Sequence, residues 1–261
     1  MSLLRLLAVF LRLGVLNELA YRANFYLQFL ESLLDLGVAF AGLSVVFSHT
    51  DTLDGWHPLE LAALLGVYFI MGGIIGTVIE PGMQRFMEDV RAGTLDFTLT
   101  KPEDAQVLVS LGQVHVWRLA DVLQGAVVLG IALHLLHAQV GLLQALAFGA
   151  ALVAGALIVY SFWLILATFS FWFVEVENIL VIFQSMYEAG RWPVGIYPRW
   201  LCASLTFVVP VAFAVTVPSE ALMGRLTPRA LLAALGLALG LLAGARVFWQ
   251  HGVRRYSGAS A

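Results

Sequence analysis

Residues 142–174 contain no Asp, Glu, Lys, Arg or His, an uncharged and largely apolar run of 33 positions. As a helix at 1.5 Å per residue the run would be about 50 Å long, more than the roughly 30 Å hydrocarbon core of a bilayer. A fold in water has no interior of that length to hold it. The remainder of the chain agrees, with 61% hydrophobic residues, 12% charged residues and a mean hydropathy of +0.89, whereas soluble domains are roughly a quarter charged. At about 20 residues per crossing, 261 residues make six or seven spans with short connections, so 1–261 reads as a single transmembrane domain.

Composition also excludes partners. A net charge of -3 without a long Lys or Arg run gives nucleic acid nothing to grip. Cys202 is the sole cysteine, which excludes an intrachain disulfide and a cysteine-based metal site.

Arg5 and Arg12 share one face of an otherwise apolar stretch, so 1–24 is expected to be an amphipathic interfacial helix. Arg12 interrupts the stretch and no small-x-small site follows it, which argues against a cleaved signal peptide. Spans are expected at 27–47, 61–79 and 116–136, then from 142 to about 166, with Phe169, Phe171, Trp172 and Phe173 at the membrane interface. Residues 179–186 are too short to cross and read as interfacial, with a seven-span arrangement left open. Residues 200–217 form the expected fifth span, kinked by Pro210, and 230–249 the sixth. With both termini cytoplasmic, all of the fourteen Lys and Arg residues except Arg225 and Arg229 fall on the inner side.

Charge gathers in one place. Glu80, Arg85, Glu88, Asp89, Arg91, Asp96, Lys101, Glu103 and Asp104 crowd the segment between the second and third spans, 80–113, which this orientation makes cytoplasmic. Met83, Phe86, Met87 and Val90 recur there at helical spacing, with Gly93 as the stop of a short amphipathic helix. Spacing alone fits either a charged loop on lipid headgroups or a helix that docks on a partner.

The string RAGTLDFTLTKP, from Arg91 to Pro102, resembles the cytoplasmic segment of ABC-2 type transporter permeases. The order of elements is similar too. Arg191, Pro193, Tyr197 and Pro198, the stretch VPVAF from Val209 to Phe213, and Pro218 resemble the subgroup in which two different permeases pair. The resemblance implies an all-α polytopic membrane protein with six transmembrane helices and the ABC-2, or type V exporter, fold. It implies a coupling helix in which Met83, Arg85, Phe86, Glu88, Asp89 and Arg91 contact an ABC ATPase, with Gly93, Thr94, Leu95 and Asp96 shaping the return to the bilayer. It also implies a heterodimer with a second six-span permease, or a second copy of this chain, in the bacterial cytoplasmic (inner) membrane among its lipids. No cofactor is expected in this chain: the only lysine is Lys101, in T-K-P, which cannot build a P-loop, so ATP and Mg belong on a partner subunit.

Asn24, Gln28, Glu31 and Asp35 are spaced 4, 3 and 4 and make one polar stripe on the first span. Gln28, Glu31 and Asp35 are candidates for the wall of a translocation path favouring cationic or amphiphilic substrates; interhelical hydrogen bonds, or contact with the N-terminal helix through Arg22, are the alternative. Gly72 and Gly76, and Gly236, Gly240 and Gly244, are expected to pack helices closely, with subunit pairing the second possibility. Arg191 has Glu175, Glu177, Glu188 or lipid phosphate as possible partners. The six histidines are scattered without zinc-hydrolase spacing, and no G-x-S-x-G occurs. A polytopic membrane enzyme acting on lipids or membrane peptides remains the competing class, without a catalytic set to name.

Overall fold

The computed structural model describes residue 14 and residues 22–173 and 177–256, with side chains from Tyr26 onward except at 177–181. The expected N-terminal helix lies mostly outside the described residues. The described chain is helical: α1 (Arg22–Phe47), α2 (Pro58–Ala92), α3 (Asp96–Leu99), α4 (Ala105–Leu111), α5 (Val116–Leu135), α6 (Leu142–Phe171), α7 (Glu177–Glu188), α8 (Arg199–Val208), α9 (Ala212–Leu222) and α10 (Pro228–Val253). Five of these, α1, α2, α5, α6 and α10, are long and apolar enough to cross a membrane. The outward faces of α1, α5, α6 and α10 carry exposed Leu34, Leu123, Leu143 and Leu239, the surface a bilayer solvates, while α2 is buried among them.

α2 is one 35-residue helix, so the second span and the amphipathic helix that follows it are continuous. It begins at His57, whose N–H donates to the Glu60 carboxylate at 2.8 Å, with Pro58 in the first turn. At 75–79 it widens into a π-turn just before Pro81. A regular helix would send the N–H of residue 81 to the Thr77 carbonyl. Pro81 has none, and the His115 N–H bonds that carbonyl at 3.0 Å instead, tying α2 to the start of α5. The helix stops at Gly93, as the sequence leads one to expect: its φ is 70°, and Gly93 and Thr94 donate to Val90 and Asp89 at 3.2 and 2.9 Å, a Schellman closure.

α2 and α5 approach closely through Gly66 and Gly125. A Cβ on Gly66 would lie 2.8 Å from the Gly125 carbonyl oxygen, and one on Gly125 would lie 2.6 Å from the Ile70 nitrogen. The glycines expected to pack helices are others. Gly72 and Gly76 meet only side chains, and nothing lies within 4 Å of Gly236, Gly240 or Gly244, so the α10 stripe packs against no described part of this chain.

Residues 177–222 differ most from expectation. Glu60 and the 51–56 turn mark one end of the molecule, here the turn end; 80–104 mark the other, the charged end. α7 rises from the charged end: Gln184 donates to Glu80 at 3.3 Å, Tyr187 donates to the Tyr68 carbonyl at 2.9 Å, and beyond it Gly195 abuts the Asp54 carboxylate at the turn end. Tyr68 is ten residues into α2, about 15 Å from its start. Residues 177–197 therefore make the fifth crossing, and the expected interfacial helix at 179–186 is part of it. α8 and α9 meet at 78°. Val209 is extended (φ -120°, ψ 104°), as the residue before a proline prefers. The apex reaches only mid-depth, because a Cβ on Gly190 would lie 2.7 Å from Val211 and 3.7 Å from Tyr68. The chain then returns to the turn end, where Arg225 pairs with Glu60 at 2.7 Å, bonds the Gly55 carbonyl at 3.1 Å and lies 4.7 Å over the Trp56 ring. The expected fifth span at 200–217 is thus a re-entrant hairpin opened by Pro210. Arg199 accordingly sits toward the turn end rather than beside the charged segment.

Candidate functional site

Two regions carry the chemistry. The first is the charged end. The apolar stripe expected to meet a partner faces inward: Met83, Phe86 and Met87 are buried, with the Phe86 ring 4.9 Å from Trp249 and 5.5 Å from Phe171. Leu95 is buried as well. Phe86 clamps the end of α2 onto α6 and α10, and the burial of Met83 and Phe86 leaves neither exposed to a partner in this structure. Asp89 holds the turn from within, accepting from the Thr94 hydroxyl at 2.9 Å and pairing with Arg85 at 3.1 Å.

Among the residues the charged end presents outward are Gln84, Arg85, Glu88, Arg91, Phe97 and Lys101. Phe97 is 73% exposed on α3, between half-buried Asp96 and Thr98; the sequence reading passed over it, although a Phe in so polar a string was the available signal. Behind this surface, Asp104 caps α4 through the Gln106 N–H at 2.9 Å and takes a two-pronged hydrogen bond from Arg246 of α10. Arg246 also donates to Gln106 at 2.8 Å, and Gln106 donates to the Tyr160 hydroxyl at 3.1 Å. The Arg246 guanidinium holds the Asp104 carboxyl below its ordinary value, with smaller help from the cap. Burial, then Arg118, pushes the His115 imidazole down.

The second region is a cavity of about 270 Å³ among α1, α2, the start of α5, Trp163 of α6, and α7 with its continuation. Gln28, Glu31 and Asp35 all line it, so the polar stripe of the first span faces a common space. The structure adds residues the sequence did not connect. Arg191 pairs with Asp35 at 3.3 Å, a partner the sequence did not suggest, and stands 5.5 Å over the Tyr68 ring; of the partners expected for it, Glu175 and the Glu177 side chain lie outside the described residues. Arg118 pairs with Asp121 at 3.2 Å, and Asp121 accepts from Ser32. Glu80, Gln184 and Glu188 line the same space. The Arg118 to Asp121 spacing of three was a legible signal; the meeting of Asp35 with Arg191, 156 positions apart, was not.

Depth gives this cavity its meaning. Asp35 lies at the middle of the 26-residue α1, yet its side chain is 57% exposed. A carboxylate at the centre of a spanning helix does not face hydrocarbon; it faces water or protein. Glu31, one turn below, is also exposed and has no hydrogen bond or ion pair among the described residues. The polar side of α1 is therefore covered in the membrane by something other than lipid.

Residues 33–260 match the sequence model of the family described as ABC-2 family transporter protein. The chain belongs to that family. No curated protein and no solved structure matches it. Membership makes this ABC-2 protein a multi-pass transport subunit rather than an enzyme, and implies an ABC ATPase as its partner.

Proposed function

We propose that this ABC-2 protein is the membrane-spanning permease subunit of an ATP-driven exporter. It forms half of a translocation path and receives motion from a separate ATPase at the charged end. The observation that carries the reading is the open, charged mid-depth cavity of Gln28, Glu31 and Asp35, which needs water or a second subunit across from it. A second six-span permease, or a second copy of this chain, would close the path from the other side. ATP and Mg would reside on the partner ATPase, whose closure on nucleotide switches access to the cavity. The coupling surface comprises Arg85, Glu88, Arg91 and Phe97, with Asp89, Gly93, Thr94, Leu95 and Asp96 setting its shape. Because α2 runs from Pro58 through the cavity wall to Ala92, displacement of that surface would reach the path along one continuous helix. The setting is the bacterial cytoplasmic membrane, with the charged end and both termini inside.

The test is to purify the complex and measure substrate-stimulated ATP hydrolysis for Phe97→Ala combined with Arg85→Ala. The reading expects normal membrane insertion and at least a tenfold loss of stimulation. Unchanged stimulation in an intact complex contradicts it.

A further inference from the structure

We infer that the cavity is a binding site for a small organic cation that carries a ring and a hydrogen-bond acceptor; this rests on its being part of the translocation path. Two cations of the chain already sit there, each held by a carboxylate and an aromatic face. Arg191 contacts Asp35 and lies over Tyr68; Arg118 contacts Asp121 and lies 4.2 Å from the Trp117 ring centroid. The cavity thus recognises positive charge by the same pairing that aromatic cages use for ammonium ligands.

Its charge is unbalanced. Once those two pairs are counted, Glu31, Glu80 and Glu188 still line the space without an ion pair among the described residues. Glu80 accepts only amide hydrogen bonds, from Gln84 and Gln184, both at 3.3 Å. Three carboxylates against a low-dielectric wall attract a cation to the cavity.

A second observation points to a ligand independently. Trp163 lines the cavity and is 1% exposed, and its indole N–H has no acceptor among the described residues. A buried donor left unpaired costs free energy; this one lies just beneath the cavity wall, so a ligand oxygen restores the missing bond when the wall shifts to admit it. Phe183 packs edge-on against Trp163 at 5.1 Å, and Tyr187 stacks on Tyr68 at 4.9 Å, so aromatic rings wall the same space. About 270 Å³ falls just below the usual range of ligand pockets, roughly 300 to 1,000 Å³, which limits the site to a compact ligand. The ligand class is therefore a compact aromatic ammonium with a carbonyl or hydroxyl oxygen, not a peptide or a two-chain lipid.

The experiment uses the full chain in phosphatidylcholine nanodiscs, with empty nanodiscs subtracted. Radiolabelled benzyltrimethylammonium is the probe, and 2,2-dimethylpropylbenzene, its neutral isostere, is the competitor. The expected result is saturable binding that the neutral isostere does not displace, weakened at least tenfold in Glu31→Gln and in Glu80→Gln. Benzoylcholine, which adds an ester carbonyl, is expected to bind more tightly than the probe, and Trp163→Phe is expected to shrink that advantage, read as the ratio of the two affinities in the same variant. Glu31 is exposed, so its substitution leaves the fold intact. Equal displacement by the isostere, undiminished binding in both Glu variants, or no binding at all overturns the cation assignment. The path reading fails separately: it fails if ATP-driven export by the assembled complex is unchanged in Asp35→Asn, whatever the cation does.

Discussion

Phe86→Ala separates a residue that clamps the charged end from one that touches a partner. Phe86 is 1% exposed and its ring meets Phe171 and Trp249 edge-on at 5.5 and 4.9 Å. Truncating a buried Phe costs about 3–5 kcal/mol where the surroundings cannot collapse, and this site cannot easily do so. α2, α6 and α10 meet there, and the ring–ring contacts add roughly 0.5–1.5 kcal/mol beyond area burial. Taking about 3 kcal/mol as the local loss, at about 1.4 kcal/mol per factor of ten, opening of the last turns of α2 becomes about a hundredfold more frequent. Amide hydrogen exchange across 84–95 reads this directly in the isolated chain, with no ATPase present. The expected result is a drop in protection of up to two orders of magnitude there, with 60–70 unaffected. Unchanged protection refutes the reasoning, because a partner-facing Phe86 would matter only in the complex.

Gly125→Ala places a methyl 2.6 Å from the Ile70 nitrogen and is expected to cost about 1–3 kcal/mol, as overpacking does, whereas Gly236→Ala, with nothing within 4 Å, is expected to leave thermal unfolding in detergent unchanged. Arg246→Ala is expected to loosen α4 from α10, read as faster exchange at 105–111. In the parent, Asp104 is held below its ordinary value, so this lock is complete at neutral and mildly acidic pH and is lost only as pH falls through the lowered pKa; a lock that weakened near neutral pH would contradict that. A cysteine at Arg199, in a Cys202→Ser background, is expected to react with an impermeant thiol reagent from the same side as one at Asp54, and labelling from opposite faces would undo the re-entrant reading of α8 and α9.

Much of the fold was legible because lipid solvation imposes a simple rule. The expected spans at 27–47, 116–136 and 230–249 need only apolar length, and α1, α5 and α10 lie over them. The stop at Gly93 was legible because only glycine takes φ of 70° without strain. The fifth crossing was not. Residues 177–197 cross with a helix of 12 residues and a broken continuation that protein contacts support, and no length criterion finds such a segment. α8 and α9 imitate a kinked span because a hairpin buried against Gly190 and Tyr68 needs the same apolar residues. At the charged end, periodicity located the stripe of Met83, Phe86 and Met87 correctly but could not say which surface it covers. An inward clamp and an outward docking face have identical spacing. In the cavity, the 4, 3, 4 spacing put Gln28, Glu31 and Asp35 on one side of α1, and only the tertiary structure brought Arg191 and Trp163 to meet them.

Site-specific photo-crosslinking in the assembled complex tests the account most directly. A benzophenone amino acid at Phe97 is predicted to give a covalent adduct with the nucleotide-hydrolysing subunit, and the same probe at Thr52, at the opposite end of the molecule, is predicted to give none. An adduct from Thr52, or none from Phe97 in a complex that still hydrolyses ATP, contradicts the claim that the charged end receives the motor.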